Sequence, residues 1–419
     1  TLSEDTISEN TCLHLGHAYL RLEDLENAKL AYAAAIRYNI NPKVREEAMY
    51  NYVQVTYLQN SALGESINAF QDFIREYPKS KYINKVYALM ADLYMTSKNY
   101  LAALTTLETI SDADEKIQDT KQYLRYQLAV DAFVQGKMSE VIQWSNEIIT
   151  NATKLSSYKT EAYYLAAQAY YSLHHYPQVV EQINLYQQQP NVKDSKNKDF
   201  ATYIKAYAFF NQKNYDAAQP LFRAYIATEP AINLRADALN RLGDCLFHAR
   251  QFADAIEFYT QVSDLKSTGA DYAILQNGYA QGLLHQYAKK VLVLNDLIQL
   301  YPQSDYADDA LYEIARAQLQ QHQYQEAIQV YQSLLQNYPN SNQAVKASLE
   351  MGMAYRTLKQ YEQAIQSFKN TIANYPATEE AYAALEGLEQ VYVETNNIGD
   401  YIIYTKQLSK LNMQTASSE

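Results

Sequence analysis

Three prolines, Pro302, Pro339 and Pro376, stand 37 residues apart, and each follows a tyrosine: Tyr301, Tyr338 and Tyr375. A period of this length constrains the chain more than any composition does, because it marks one supersecondary unit copied and stacked along the sequence. Proline disfavours the α region for the residue before it, so a helix ends at each of these tyrosines. The serine or threonine two places beyond each such proline (Ser304, Ser341, Thr378), and Ser80 beyond Tyr77-Pro78, is positioned to cap the helix that follows.

The same grammar recurs inside the period. Met351-Gly352, Ala364 and Phe368 repeat the spacing of Ile314-Ala315, Ala327 and Tyr331. Carried backwards, it gives Leu242-Gly243, Ala255 and Tyr259, then Ala206, Ala218 and Phe222, and finally Leu15-Gly16, Ala28 and Tyr32. Steps of 35 to 39 residues predict about eleven units. Each reads as two helices. In the second helix of one unit Tyr324, Ala327, Ile328, Tyr331, Leu334 and Leu335 form a single stripe at helical spacing. Alanine or glycine at fixed positions lets the two helices approach closely, and a large residue such as Tyr32 or Phe368 fills the remaining space. With only 10 glycines and 9 prolines in 419 residues, the composition suits helices and disfavours a turn-rich β fold.

This small-and-large pattern, carried by Leu15, Gly16, Tyr19, Ala28, Tyr32 and Ala35 in the first unit and by Met351, Gly352, Tyr355, Ala364, Phe368 and Pro376 in the tenth, resembles the tetratricopeptide repeat. The family's usual tryptophan near the start of each unit is absent, and the period exceeds the common 34 residues. The resemblance implies an all-α, right-handed superhelical solenoid of about eleven hairpins. The linker Tyr-Pro-x-Ser/Thr is also similar to that of bacterial envelope members, such as the outer-membrane assembly lipoproteins and the Tol-associated division coordinator. The Gln, Asn and Tyr richness has a Bacteroidetes flavour. That likeness implies a periplasmic or outer-membrane-associated protein and leaves the cytoplasm open.

Three connections lack the Tyr-Pro stop: 111–120, 187–199 and 262–270. The polar stretch 187–199 suggests arrays over 1–190, with about five repeats, and 191–419, with about six, continuous with one another. It reads either as a longer inter-repeat loop or as a hinge. The eighth unit is irregular. Gly278 and Gly282 sit in its first helix, and Lys290 stands where alanine is expected, either drifted and snorkelling outward or marking a close approach or flex point.

A formal net charge of -12 makes nucleic acid and anionic membrane poor partners. Cys12 and Cys245 are too far apart in an array to pair, and neither belongs to a CxxC metal motif. No apolar run is long enough to span a membrane. Beginning at Thr1, the chain reads as a trimmed or mature fragment. His14 and His17, i and i+3 with Cys12 nearby, have spacing that can hold a metal, but no fourth ligand supports it. The pairs Glu46-Glu47, Asp308-Asp309 and Glu379-Glu380 fall at helix starts, where they favour the positive end of the macrodipole. No catalytic motif is present, and no cofactor, metal or catalytic residue is assigned.

The expected function is therefore a non-enzymatic protein–protein scaffold in the bacterial envelope. By the resemblance, first helices line a concave face. Tyr126, Phe133, Tyr164, Gln168, Tyr171, Tyr203, Tyr207, Phe210 and Tyr279 are the candidate partner-binding groove, unless these rings pack between neighbouring first helices as core. The lysine, asparagine and arginine clamp that some family members close on a terminal carboxylate is not carried over, since the matching positions of units three to six are not basic. Two other functions compete: a glycan- or peptidoglycan-binding module using tyrosine rings, and the regulatory array of a larger protein.

Overall fold

The structure, a computed structural model, describes residues 6–59, 63–152 and 156–416. Among these residues the regular elements are all helical. The chain divides into two compact units between Ala201 and Thr202. The first holds the pairs α1 (Thr6–Arg21) and α2 (Leu25–Tyr38), α3 (Pro42–Leu58) and α4 (Leu63–Glu76), α5 (Ile83–Thr96) and α6 (Tyr100–Glu108), α7 (Glu115–Val134) and α8 (Met138–Asn151), and α9 (Ser157–Ser172) and α10 (Tyr176–Gln187). The division falls in the first helix of the next pair, α11 (Lys198–Asn211) and α12 (Tyr215–Ile226). The second unit continues with α13 (Ile232–His248) and α14 (Phe252–Leu265), α15 (Ala270–Leu283) and α16 (Tyr287–Leu300), α17 (Ala307–Gln320) and α18 (Tyr324–Asn337), α19 (Asn342–Thr357) and α20 (Tyr361–Asn374), and α21 (Glu379–Glu394) and α22 (Ile398–Ala416). The eleven pairs are the eleven expected hairpins, stacked as a helical solenoid within each unit.

The small residue and its filler belong to one hairpin, sixteen residues apart. A Cβ built on Gly16 would lie 2.5 Å from the Tyr32 ring, on Gly243 2.6 Å from Tyr259, and on Gly352 2.6 Å from Phe368. Tyr32, Tyr259 and Phe368 are 0% exposed, so the rings are locked in place and cannot move aside. Phe368 also touches the next hairpin, where a Cβ on Gly387 would lie 2.7 Å from its ring.

Each described turn inside a hairpin repeats one backbone device. The residue before the second helix's cap adopts left-handed φ: 57° at Lys98, 59° at His174 and Lys213, 60° at Arg250 and 75° at Gly136. The following N–H then bonds the carbonyl five residues back, as in Asn99 to Tyr94 at 2.8 Å and Gln251 to Leu246 at 2.9 Å. This closes the orphan carbonyls of the first helix. Where that next residue is Asp24, Asn99 or Asn214, its side chain also caps the second helix.

Between hairpins, Tyr301, Tyr338 and Tyr375 end their helices with φ near -130°. Ser341 and Thr378 cap α19 and α21, accepting from Ala344 N–H at 3.2 Å and Ala381 N–H at 3.1 Å. Ser80 and Ser304 do not cap in this way. Each accepts from an N–H two residues on, Tyr82 at 3.0 Å and Tyr306 at 3.2 Å, so an extra turn intervenes before α5 and α17. Asp308-Asp309 and Glu379-Glu380 lie in first turns, whereas Glu46-Glu47 sit further along α3. The polar stretch 187–199 is held down. Pro190–Asp194 forms a 3-10 turn, and Ser195 and Asn197 donate to the two oxygens of Glu161 in α9 at 2.6 and 2.7 Å.

Candidate functional site

Within each unit most first helices of successive hairpins touch one another as well as their own partners. Clefts of both units open between these first helices. In the first unit a cleft of about 730 Å³ is lined by Tyr50, Gln54 and Tyr57 of α3, Lys85, Leu89 and Asp92 of α5, and Lys116 and Thr120 of α7. Another of about 570 Å³ lies beside Tyr123 of α7 and Tyr158 of α9. In the second unit one of about 600 Å³ lies between α19 and α21, at Met353, Arg356, Glu386 and Gln390, with Tyr361 and Phe368 of α20. A further cleft of about 430 Å³ is bounded by α13, α15 and α17 and the start of α16. By contrast, a cleft among α2, α3 and α4 measures about 230 Å³.

The cleft at α15 is built around the irregular eighth hairpin. Most second helices place alanine at the crossing, and Ala28, Ala255, Ala327 and Ala364 are all 0% exposed. Here the residue is Lys290, and Gly282 leaves room for its long stem: a Cβ on Gly282 would lie 3.2 Å from Lys290 Nζ. Lys290 does not snorkel outward. It is only 7% exposed, and its ammonium donates to Glu313 Oε2 on α17. A buried ammonium needs such a partner, since its desolvation is otherwise uncompensated. One turn away, Gly278 admits Leu294, whose Cδ2 lies 2.4 Å from where a Cβ would stand.

Arg316 sits across the same cleft. Its guanidinium lies over the Tyr312 ring, 5.7 Å from the centroid, and 51% of its side chain is exposed. The nearest carboxylates are Glu313 at 3.7 Å and Glu350 at 4.0 Å. Glu350 accepts from Tyr312 Oη at 2.7 Å and from Tyr331 Oη. Phe247, Tyr279, Leu283 and Tyr287 give the cleft apolar walls. Burial, and then the negative charges of Asp309 and Glu313, push the Tyr279 phenol above its ordinary range, so it stays protonated at neutral pH.

Carboxylates gripped by tyrosine hydroxyls recur on these first helices. Asp237 accepts from Tyr203 Oη at 2.5 Å and from Tyr207 Oη. Asp244 accepts from Tyr259 Oη at 2.8 Å and Tyr272 Oη at 2.9 Å, and pairs with Arg241 Nη1 at 2.8 Å. Arg241 in turn lies over Phe210 and Tyr272, 5.4 and 5.2 Å from their centroids. Tyr57 donates to Asp92 in the first unit, an interaction that pushes its phenol up to about 12.

The nine groove residues read from the sequence fall into separate places. In the first unit, Tyr126 and Phe133 are half-buried around one core cluster, with Tyr126 tilted on Tyr158 at 5.7 Å. Tyr164 is 5% exposed, rests on the Tyr186 ring and accepts from Gln168 at 3.2 Å. Tyr171 lies edge-on to Tyr176 at 5.8 Å. In the second unit, Tyr203, Tyr207 and Phe210 gather around Phe222, with centroids 5.5 to 6.3 Å from its ring. Tyr203 is 9% exposed. Of the nine, only Tyr279 lines one of the clefts described above. Phe247, Glu313 and Arg316 escaped the sequence reading. The signal available for Arg316 was a cation directly after the small crossing residue Ala315.

His14 and His17 have ring centroids 6.0 Å apart, and His17 lies edge-on to Tyr32 and 3.8 Å from Glu47. Among the described residues no three His, Cys, Asp or Glu side chains converge as metal ligands, and no helix is long and apolar enough to cross a membrane.

Residues 13–81 and 203–270 match one family model of the tetratricopeptide repeat, and residues 309–341 and 346–378 match another. No curated protein matches the chain. Among solved structures, the C-terminal part of a TPR repeat-containing protein from Cytophaga hutchinsonii is similar over 63% of this chain and 99% of its own, at 18% identity and a TM-score of 0.51. MamA from Desulfovibrio magneticus RS-1 is similar over 44% of this chain and 98% of its own, with 17% identity and a TM-score of 0.35. YrrB, a TPR protein with an unusual peptide-binding site, is similar over 48% and 96%, with 14% identity and a TM-score of 0.39.

Proposed function

We propose that this chain is a non-enzymatic scaffold gripping an extended protein segment along its first helices, a reading supported by the tetratricopeptide-repeat matches at 13–81, 203–270, 309–341 and 346–378, since such repeats generally mediate protein–protein interaction. One observation carries the reading. Clefts of about 430 to 730 Å³ recur between first helices in each unit and combine aromatic walls with charged side chains. Such mixed clefts suit a partner's side chains, because apolar anchors supply affinity and placed polar groups supply register.

The test is a peptide display selection on the full chain, followed by titration of the enriched peptides. Phe247→Ala and Tyr279→Ala on the first-helix face of the second unit are expected to weaken a peptide bound there by roughly tenfold each. Leu292→Ala, at an exposed position of the second helix α16, is the control and is expected to change nothing. Binding that ignores both first-helix changes, or that is lost in the control, rejects the proposal.

An envelope location belongs to the same proposal. It is supported by the linkers Tyr77-Pro78-Lys79-Ser80, Tyr301-Pro302-Gln303-Ser304, Tyr338-Pro339-Asn340-Ser341 and Tyr375-Pro376-Ala377-Thr378. Fractionation of the native host, with the protein recovered in the cytosol alone, rejects it.

A further inference from the structure

We infer that the cleft at α15 and α17 takes an acidic residue of the partner on Arg316, beside a large apolar side chain lodged against Phe247, Tyr279 and Leu283. The inference rests on the first-helix face being the binding face and adds the partner's chemistry there. Arg316 makes no hydrogen bond among the described residues, and its two nearest carboxylates stand at 3.7 and 4.0 Å. Each of those carboxylates is held by a closer donor: Glu313 by the Lys290 ammonium, and Glu350 by the hydroxyls of Tyr312 and Tyr331.

Two other first-helix arginines of this unit, Arg241 and Arg356, are committed. Arg241 pairs with Asp244 at 2.8 Å, and Arg356 donates to Glu394 at 3.0 Å. Arg316 is thus a guanidinium oriented by the Tyr312 face with donors left over for a ligand. Gln320, one turn along and exposed on the same cleft, adds an amide. Leu283 is 51% exposed, an apolar surface waiting at the rim. A lone arginine with one amide fits the two oxygens of a side-chain carboxylate in the middle of a segment.

The experiment is peptide display on the full-length chain, using peptides whose C-terminus is fused or amidated, with Arg316→Gln and Arg316→Glu in parallel. The wild type is expected to enrich segments with Asp or Glu close to Phe, Tyr, Leu or Met. Arg316→Gln is expected to weaken the enriched peptides roughly tenfold. Arg316→Glu is expected to exchange the acidic preference for Lys or Arg. Unchanged helicity and melting temperature establish that both variants fold. Peptides enriched without an acidic residue, or bound equally by the three proteins, overturn the inference and leave the first-helix reading intact. A requirement for a free C-terminal carboxylate overturns it also. Failure to enrich any peptide removes both.

Discussion

Lys290 in α16 and Glu313 in α17 form a buried ion pair that ties the eighth hairpin to the ninth, at a position where neighbouring hairpins carry alanine. Their side chains are 8% and 13% exposed. Breaking such a pair from one side strands a charge, at a cost of roughly 3 kcal/mol, whereas replacing both members with apolar residues is often close to neutral. Lys290→Met is therefore expected to lower the urea midpoint strongly, and Lys290→Met with Glu313→Leu to recover most of it. A double variant as unstable as the single one contradicts this account.

Gly352 has no room for a methyl group, with the Phe368 ring 2.6 Å from where a Cβ would stand. Gly352→Ala is expected to destabilise by about 1–3 kcal/mol despite alanine's better helix propensity. Gly64, in α4, has nothing within 4 Å of where its methyl group would stand, so Gly64→Ala should stabilise by up to about 1 kcal/mol. Thermal melts of the two variants moving in opposite directions verify the socket; a shared direction refutes it.

The turn residues make a second test of backbone physics. Lys98 holds a left-handed φ of 57°, which costs a side-chain-bearing residue about 1 kcal/mol relative to glycine. Lys98→Gly should stabilise the chain, and Gly136→Ala, at φ 75°, should destabilise it. Equilibrium unfolding of each variant decides the matter, with Lys98→Gly less stable than wild type as the contrary result.

Buried phenols make the fold sensitive to alkali. Burial raises Tyr32 from 10.0 to about 12, and the bond to Asp92 raises Tyr57 similarly. A folded pKa above the unfolded one means stability that is complete below pH 10 and is lost as pH rises toward 12. Phenolate absorbance should accordingly show one class of tyrosines ionising normally and another ionising only with loss of helicity. A single class titrating near 10 with helicity intact speaks against the buried hydroxyls.

Much of the fold was legible because its determinants are local and repeated. Gly352, Ala364, Phe368 and the Tyr375-Pro376 stop report packing within one hairpin, and each recurs at the next period. The start of α5 and α17 was not, because Ser80 and Ser304 have the same chemistry as Ser341 while an extra turn separates them from their helices. The site was less visible still. Tyr203 and Tyr164 look like groove residues by spacing, yet neighbouring rings and hydroxyl partners draw them inward. Arg316 was hidden because its availability depends on where Lys290, Tyr312 and Tyr331 direct their protons, which no one-dimensional pattern records.

The sixteen-residue spacing keeps each socket and its filler inside one hairpin: Gly243 travels with Tyr259, and Gly352 with Phe368, although Phe368 also fits against Gly387 of the next. Several hydroxyl-to-carboxylate bonds reach further, since Tyr57 reaches Asp92, Tyr203 reaches Asp237 and Tyr312 reaches Glu350, each one hairpin ahead, while Tyr259 to Asp244 stays within its own. Duplication or loss of a hairpin in descent would thus keep each socket with its filler and break much of the polar stitching. The order of modules in this chain is written in its tyrosines and acids.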